Sequence, residues 1–323
     1  MAARTKSKVT PKYKTKYRVT NWREYEAGLR RRGDITVWFD DAAVRAWNAP
    51  PSGKPGGQPT CSDLAIITAL TLRTVFHLPL RQTEGFVGSL MRLMRLDLEV
   101  PDHTTLSRRG RTVDVPKLPR VHDGPIHLMI DSTGLKVTGD GEWHAAKHGG
   151  SKKRRSWRKL HIGVDGHGYI VASELTSSNE DDALTVPTLV AQLTASIARF
   201  TADGAYDTEA VYDAVAGSGT PDIRLVVPPR RTATRTPSAE GAWAQRDAAV
   251  ARIEEVGRRA WRKEAGANRQ ARVENAMFRL KRIAGDRLRA RNFEAQKREA
   301  EIGVNVLNRM LELGMPESVA VAT

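Results

Sequence analysis

Five runs in the middle of the chain, IHLMIDSTGLKV, KLHIGVD, GYIVASELT, IARFTADGAYD and IRLVVP, are apolar, rich in β-branched residues and bounded by turn formers. They read as strands, so this part of the chain is committed to a sheet. Asp165-Gly166-His167-Gly168 joins the second and third as a hairpin. The first run carries Asp131 where an apolar residue would pack better. An ionised carboxylate at the end of a buried strand is costly unless positive charge sits against it, so Asp131 needs a partner.

A second acid, Asp203, ends the strand IARFT and is followed by the breaker Gly204. If the two strands are neighbours, both carboxylates project at one rim, and a divalent cation resolves their repulsion. A third, Glu274, lies on a helix whose buried stripe is Val273, Met277, Leu280 and Ala284. Lys281 follows seven residues later, about 10 Å along the axis, where it can hold a phosphate. Oxygen donors of this kind suit Mg²⁺ or Mn²⁺. Two such ions activate a water or a 3′-hydroxyl and stabilise the leaving oxygen in a displacement at phosphorus. Each acid also has a plainer role: Asp131 capping a turn, Asp203 ending a strand, Glu274 pairing with Arg279 or Arg282. Only the ordered set points to chemistry.

The charge balance agrees with a phosphate-bearing partner. Lys and Arg number 52 against 37 Asp and Glu, a formal charge of +15, which favours a polyanion and in this setting double-stranded DNA. Residues 1–20 hold seven cations and no acid and are expected to form a basic, flexible arm. Residues 21–120 are expected to form a mostly helical DNA-binding region, from apolar spacing of three and four in DLAIITALTLRTVF and GFVGSLMRLMRL. Residues 78–113 have the outline of two helices and a short turn, the second helix capped by Asp102 and carrying Arg108, Arg109 and Arg111 for the major groove. The acid-free run Lys152, Lys153, Arg154, Arg155, Arg158 and Lys159 is expected to lie where a DNA backbone approaches the metals. Trp143 and Trp157 flank it, available for base stacking or for packing.

Beyond the strands, a helix is expected from Ser178 through ALTVPTLVAQLTASI, another near 208–216, and further helices at about 243–263, 269–284 and 294–313. Cys61 is the only cysteine, which excludes an intrachain disulfide and fits a reducing cytoplasm, with a nucleoid location following from DNA binding. The N-terminal segment lacks the apolar core of a secretory signal, and the longest apolar stretch, near Leu64–Leu72, is too short to cross a bilayer, so no membrane association is expected.

DSTGLKV, TADGAYD and RVENAMFRLKR, in that order and at spacings of 72 and 71 residues, resemble the DDE transposases of bacterial insertion sequences, in particular the insertion-sequence-five group. YRVTNWREYEAGLRRRGDITVWFD and LPLRQTEGFVGSLMRLMRLDLEVPDHTTLSRR are similar to that group as well. The resemblance implies an α/β fold: an RNase H-like catalytic core, a mixed sheet flanked by helices, over residues 121–323, with an insertion at about 229–268. It also implies that Asp131, Asp203 and Glu274 hold two Mg²⁺ or Mn²⁺ ions, and that the protein cleaves at terminal inverted repeats and joins the ends to target DNA as a homodimer or larger assembly. The family's glutamate signature places a tyrosine and an arginine upstream. Those positions are Ala267 and Gln270 here, with Arg269 and Arg272 as neighbouring DNA-contact candidates. A nuclease without joining activity and a DNA-binding protein without catalysis are the alternatives.

Overall fold

The structure is a computed structural model that describes residues 17–51, 53, 55–117, 123–138, 157–236 and 240–321. By compactness the chain divides into one unit of the described residues up to Val37 with those from Arg309 onward, and another of Trp38–Asn308. In the first, strand Tyr17–Val19 pairs antiparallel with Ser318–Ala320, and helix Trp22–Arg31 buries Gly28. A Cβ on Gly28 would lie 2.5 Å from the Leu313 carbonyl oxygen, so only glycine admits this approach.

The larger unit opens with α1 (Asp41–Arg45), α2 (Asp63–Val75), α3 (Leu80–Leu93) and α4 (His103–Arg109). Ser62 caps α2 through Ala65 N–H, and Asp102 caps α4 through Thr104 and Thr105 N–H, as the sequence predicts for Asp102. The expected helix-turn-helix is not what α3 and α4 form. Residues 94–102 separate them, whereas that motif turns in three or four residues, and α4 has only 7 residues. Arg111 lies beyond the end of α4, past Gly110. The helical segment from residue 38 onward falls within the same compact unit as the sheet.

The sheet comprises β1 (Ile126–Val137), β2 (Trp157–Val164), β3 (Ile170–Ser177), β4 (Ile197–Thr201) and β5 (Gly219–Val226). Their spatial order is β3-β2-β1-β4-β5; the first three alternate in direction, while β4 and β5 run parallel to β1. That mixed arrangement is the RNase H-like core. The β2–β3 hairpin closes as predicted, Asp165 accepting N–H bonds from His167 (2.8 Å) and Tyr169 (2.9 Å) and Gly168 taking φ 93°. Between β3 and β4 comes α5 (Val186–Val190), and α6 (Glu209–Ala216) follows β4. Then α7 (Gly241–Val256), α8 (Arg258–Ala265) and α9 (Ala271–Ile283) lead to β6 (Arg287–Leu288), which pairs with the end of β1, and to α10 (Phe293–Glu312).

Alternation along β1 explains the layers. Ile126, Leu128 and Ile130 bury one face together with Phe200, Leu189 and Tyr212 from β4, α5 and α6. On the other face, α9 packs on β1 and β2 through Val273, Ala276, Met277 and Leu280. Two expected helices are shorter than predicted. The one from 178 reduces to a 3-10 turn, Ala183–Thr185, and the single short α5, with Pro187 in its first turn, because the chain must re-enter the sheet at Ile197. The one at 243–263 breaks at Gly257, whose φ of 83° no helix accommodates. Among the described residues, no single helix is long and apolar enough to cross a membrane.

Candidate active site

Asp131 is not at a strand end. β1 runs on to Val137, and Asp131 pairs with Ile162 of β2 within the ladder. On its other side the pairing with β4 stops at Met129 and Thr201, so Asp131 stands half-buried just past the end of its shorter neighbour. The acid is tolerated because one flank of the strand is open there. Its Oδ1 accepts the N–H of Ser132 at 2.8 Å. Burial pushes its carboxyl up to about 6, and the negative charges of Asp203, Glu274 and Asp182 push the same way against the Ser132 hydrogen bond.

Asp203 follows β4 by two residues and is exposed, its Oδ1 accepting the N–H of Ala205 at 2.8 Å to start the 3-10 turn Gly204–Tyr206. Glu274 lies in the first turn of α9, exposed, beside the buried Val273. Gln270, just before α9, donates from Nε2 to the Ile130 carbonyl at 2.8 Å, which ties the glutamate's helix to the residue before Asp131. The position of the expected arginine therefore does a backbone-anchoring job here.

None of Asp131, Asp203 and Glu274 has an ion-pair partner among the described residues, although all three lie in one electrostatic neighbourhood. By contrast Asp165 is consumed by its turn, and Asp207 is buried against Arg246 (3.3 Å) and the N–H of Arg230 (2.9 Å). Among the described residues, no group of three or more His, Cys, Asp or Glu side chains is already gathered to hold a metal ion. The donor chemistry nevertheless fits a hard divalent cation: three carboxylates, uncompensated, with one held protonation-prone by burial and by the charge of the others.

Asp182 is a fourth acid in this field that the sequence hid within a run of acids read as a helix start. Lys159 Nζ lies 3.2 Å from it and His161 Nδ1 3.5 Å. Tyr206, fully buried, feels Asp182, Asp131 and Asp203 together; burial first, then these charges, hold its phenol far above its ordinary range.

The expected DNA-contacting cations separate into distinct sets. Lys152, Lys153, Arg154, Arg155 and Trp143 lie outside the described residues. Arg109 is engaged internally, bonding Asp63 at 2.5 Å and the Cys61 carbonyl. Arg158 donates to Gln296 at 3.0 Å and covers the Phe293 ring, and Lys159 holds Asp182 and the Glu180 carbonyl. All three therefore have partners within the protein. Trp157 is 37% exposed and packs over Gly134. Arg108 is exposed, and Lys281 partly buried, without an ion-pair partner among the described residues.

Arg269 and Arg272 are exposed and belong to a cluster that sequence order conceals. Strand register sets His127 beside Arg199 and Arg199 beside Arg224. Burial, then Arg199, Arg269 and Arg272, lower the His127 imidazole to about 4, so it is neutral at physiological pH. Arg224, Arg269 and Arg272 have no carboxylate partner among the described residues. Like charges so crowded repel one another, and a bound anion would relieve that repulsion.

A family model described as "Transposase DDE domain" matches residues 122–309, and a second with the same description matches residues 30–140. Among solved structures, the chain is similar to a piggyBac transposase synaptic complex with hairpin DNA, at 11% identity and a TM-score of 0.35, over 91% of this chain and 76% of that one.

Proposed function

Because the chain belongs to the DDE transposase family, a family of enzymes that generally use divalent metal ions to cut and transfer DNA, we propose that it mobilises an insertion sequence of the insertion-sequence-five type. In this reading it binds the element's terminal inverted repeats, hydrolyses strands at the ends and joins the 3′-hydroxyls to target DNA. Joining two ends in one event calls for a homodimer or larger assembly. The observation that carries the proposal is that the charges of Asp203, after β4, and Glu274, on α9, act on the Asp131 carboxyl of β1, with no cationic partner to any of the three among the described residues.

Asp131, Asp203 and Glu274 would hold two Mg²⁺ or Mn²⁺ ions, which supply activation of the attacking hydroxyl and stabilisation of the leaving oxygen when bound. Asp131, fixed within the ladder, sets the position of the scissile phosphate, and Gln270 keeps α9 in register with it. Lys281, Arg269 and Arg272 contact backbone phosphates on the approach, with Arg199 and Arg224 continuing that surface across the sheet. Lys159 leaves Asp182 compensated, so the uncompensated charge stays with the three acids.

The test is Glu274→Gln with DNA carrying the flanking inverted repeats and Mn²⁺. Binding is expected to be retained while cleavage is lost; undiminished cutting removes Glu274 from the mechanism. Products in which cut ends are joined to a second duplex distinguish a transposase from a nuclease.

A further inference from the structure

A pocket of about 380 Å³, with none of the three acids in its lining, opens between α2, α4 and the start of α10. Leu70, Leu106 and Ile302 line it on the apolar side, and five arginines, Arg73, Arg111, Arg289, Arg291 and Arg298, supply its charge. Two of these are engaged: Arg289 donates to the Leu78 carbonyl at 3.1 Å, and Arg298 holds Glu301 at 2.8 Å. The other three, Arg73, Arg111 and Arg291, make no side-chain hydrogen bond and no ion pair among the described residues.

The one acid lining the pocket offsets only one of the five charges and forms no ion pair with them among the described residues. Both Glu299 oxygens accept backbone N–H bonds, from Arg289 at 3.0 Å and from Ala290 at 2.8 Å. Arg73 is the clearest anomaly. It reaches from α2 into the pocket wall, its Nε buried without a partner, attracted by Glu299 only through space and repelled by Arg289. A guanidinium nitrogen withdrawn from water with nothing bonded to it is costly, and an anion in the pocket would relieve both that cost and the crowding of like charges. Planar guanidinium forks lining one cavity suit the oxygens of a phosphate.

We propose that this pocket is an anion-binding site that takes a phosphate group. The apolar floor and the volume admit a phosphate carried on a small organic body as well as one on a nucleic acid end. The inference stands on the pocket alone and is independent of the three acids.

The test uses the full chain and thermal melts in potassium phosphate against potassium chloride at equal ionic strength. Phosphate is expected to raise the melting temperature beyond chloride, and Arg111→Ala with Arg291→Ala, both exposed, to weaken its apparent affinity about tenfold or more. Arg73→Met is expected to be at least as stable as the wild type without phosphate and indifferent to it, an inversion that a purely structural arginine would not give. Equal phosphate response in the wild type and the double variant, or none in either, overturns the proposal. Displacement of phosphate by a 5′-phosphorylated oligonucleotide and not by its 5′-hydroxyl counterpart assigns the source to DNA. Displacement by neither assigns it to a free phosphate compound.

Discussion

Asp131 carries its charge at neutral pH against both burial and the like charges of Asp203 and Glu274. A carboxyl whose folded value is raised above its unfolded one binds its proton more tightly when folded. Its contribution to stability is therefore complete below the unfolded value of 3.8 and is lost as pH rises through about 6. In buffer with chelator, Asp131→Asn is expected to be more stable than the wild type at about pH 8, by on the order of 1 kcal/mol after discounting for partial exposure, and to converge with it near about pH 4. Melts across that range check the sign; a wild type that gains on the variant as pH rises contradicts it. Added Mg²⁺ is expected to reverse the order, since it stabilises only the chain that keeps its carboxylate. Cleavage is expected to fall as pH drops below about 6, where the proton competes with the cation. The three acids were legible because each follows or interrupts an apolar pattern. Asp182 was not, because a carboxylate in a polar run gives no sign of what it faces.

Elements were legible where a local signal decides them. Asp102 announces α4, and Asp102→Ala is expected to cost about 1 kcal/mol, read by chemical denaturation. Where the long-range return of the chain decides, periodicity misleads: ALTVPTLVAQLTASI repeats like a helix, yet β4 claims its end. The same limit hid the junction of α8 and the sheet. Gly266, at φ 69°, ends α8 and lets the Arg199 guanidinium bond the Ala265 carbonyl; a Cβ there would lie 2.8 Å from that guanidinium. Gly266→Ala is expected to destabilise by about 1–2 kcal/mol, from the left-handed backbone and the displaced arginine together, as denaturant midpoints would show. Register alone reveals that Arg199 has Arg224 on one side and His127 on the other. No spacing in the sequence encodes that row.

For the whole molecule, a formal charge of +15 says that a polyanion is welcome and not where it lies. The internal pairing of Arg109, Arg158 and Lys159 shows that part of a basic total serves the fold. Unpaired cations are the informative ones. Arg224→Glu with Arg272→Glu is expected to weaken binding to any duplex, sequence aside, and to lower the slope of log affinity against log salt by about 2, roughly one for each phosphate no longer neutralised. Anisotropy titrations at several salt concentrations measure it, and an unchanged slope would place the DNA elsewhere.

The ladder bonds that flank Asp131 have a mechanical meaning. Its backbone is clamped by β2 and its carboxylate by Ser132, while Asp203 sits on a solvent-facing turn and Glu274 on an outward helical turn. Of the three acids the first is thus the anvil, the fixed block against which the other two are set.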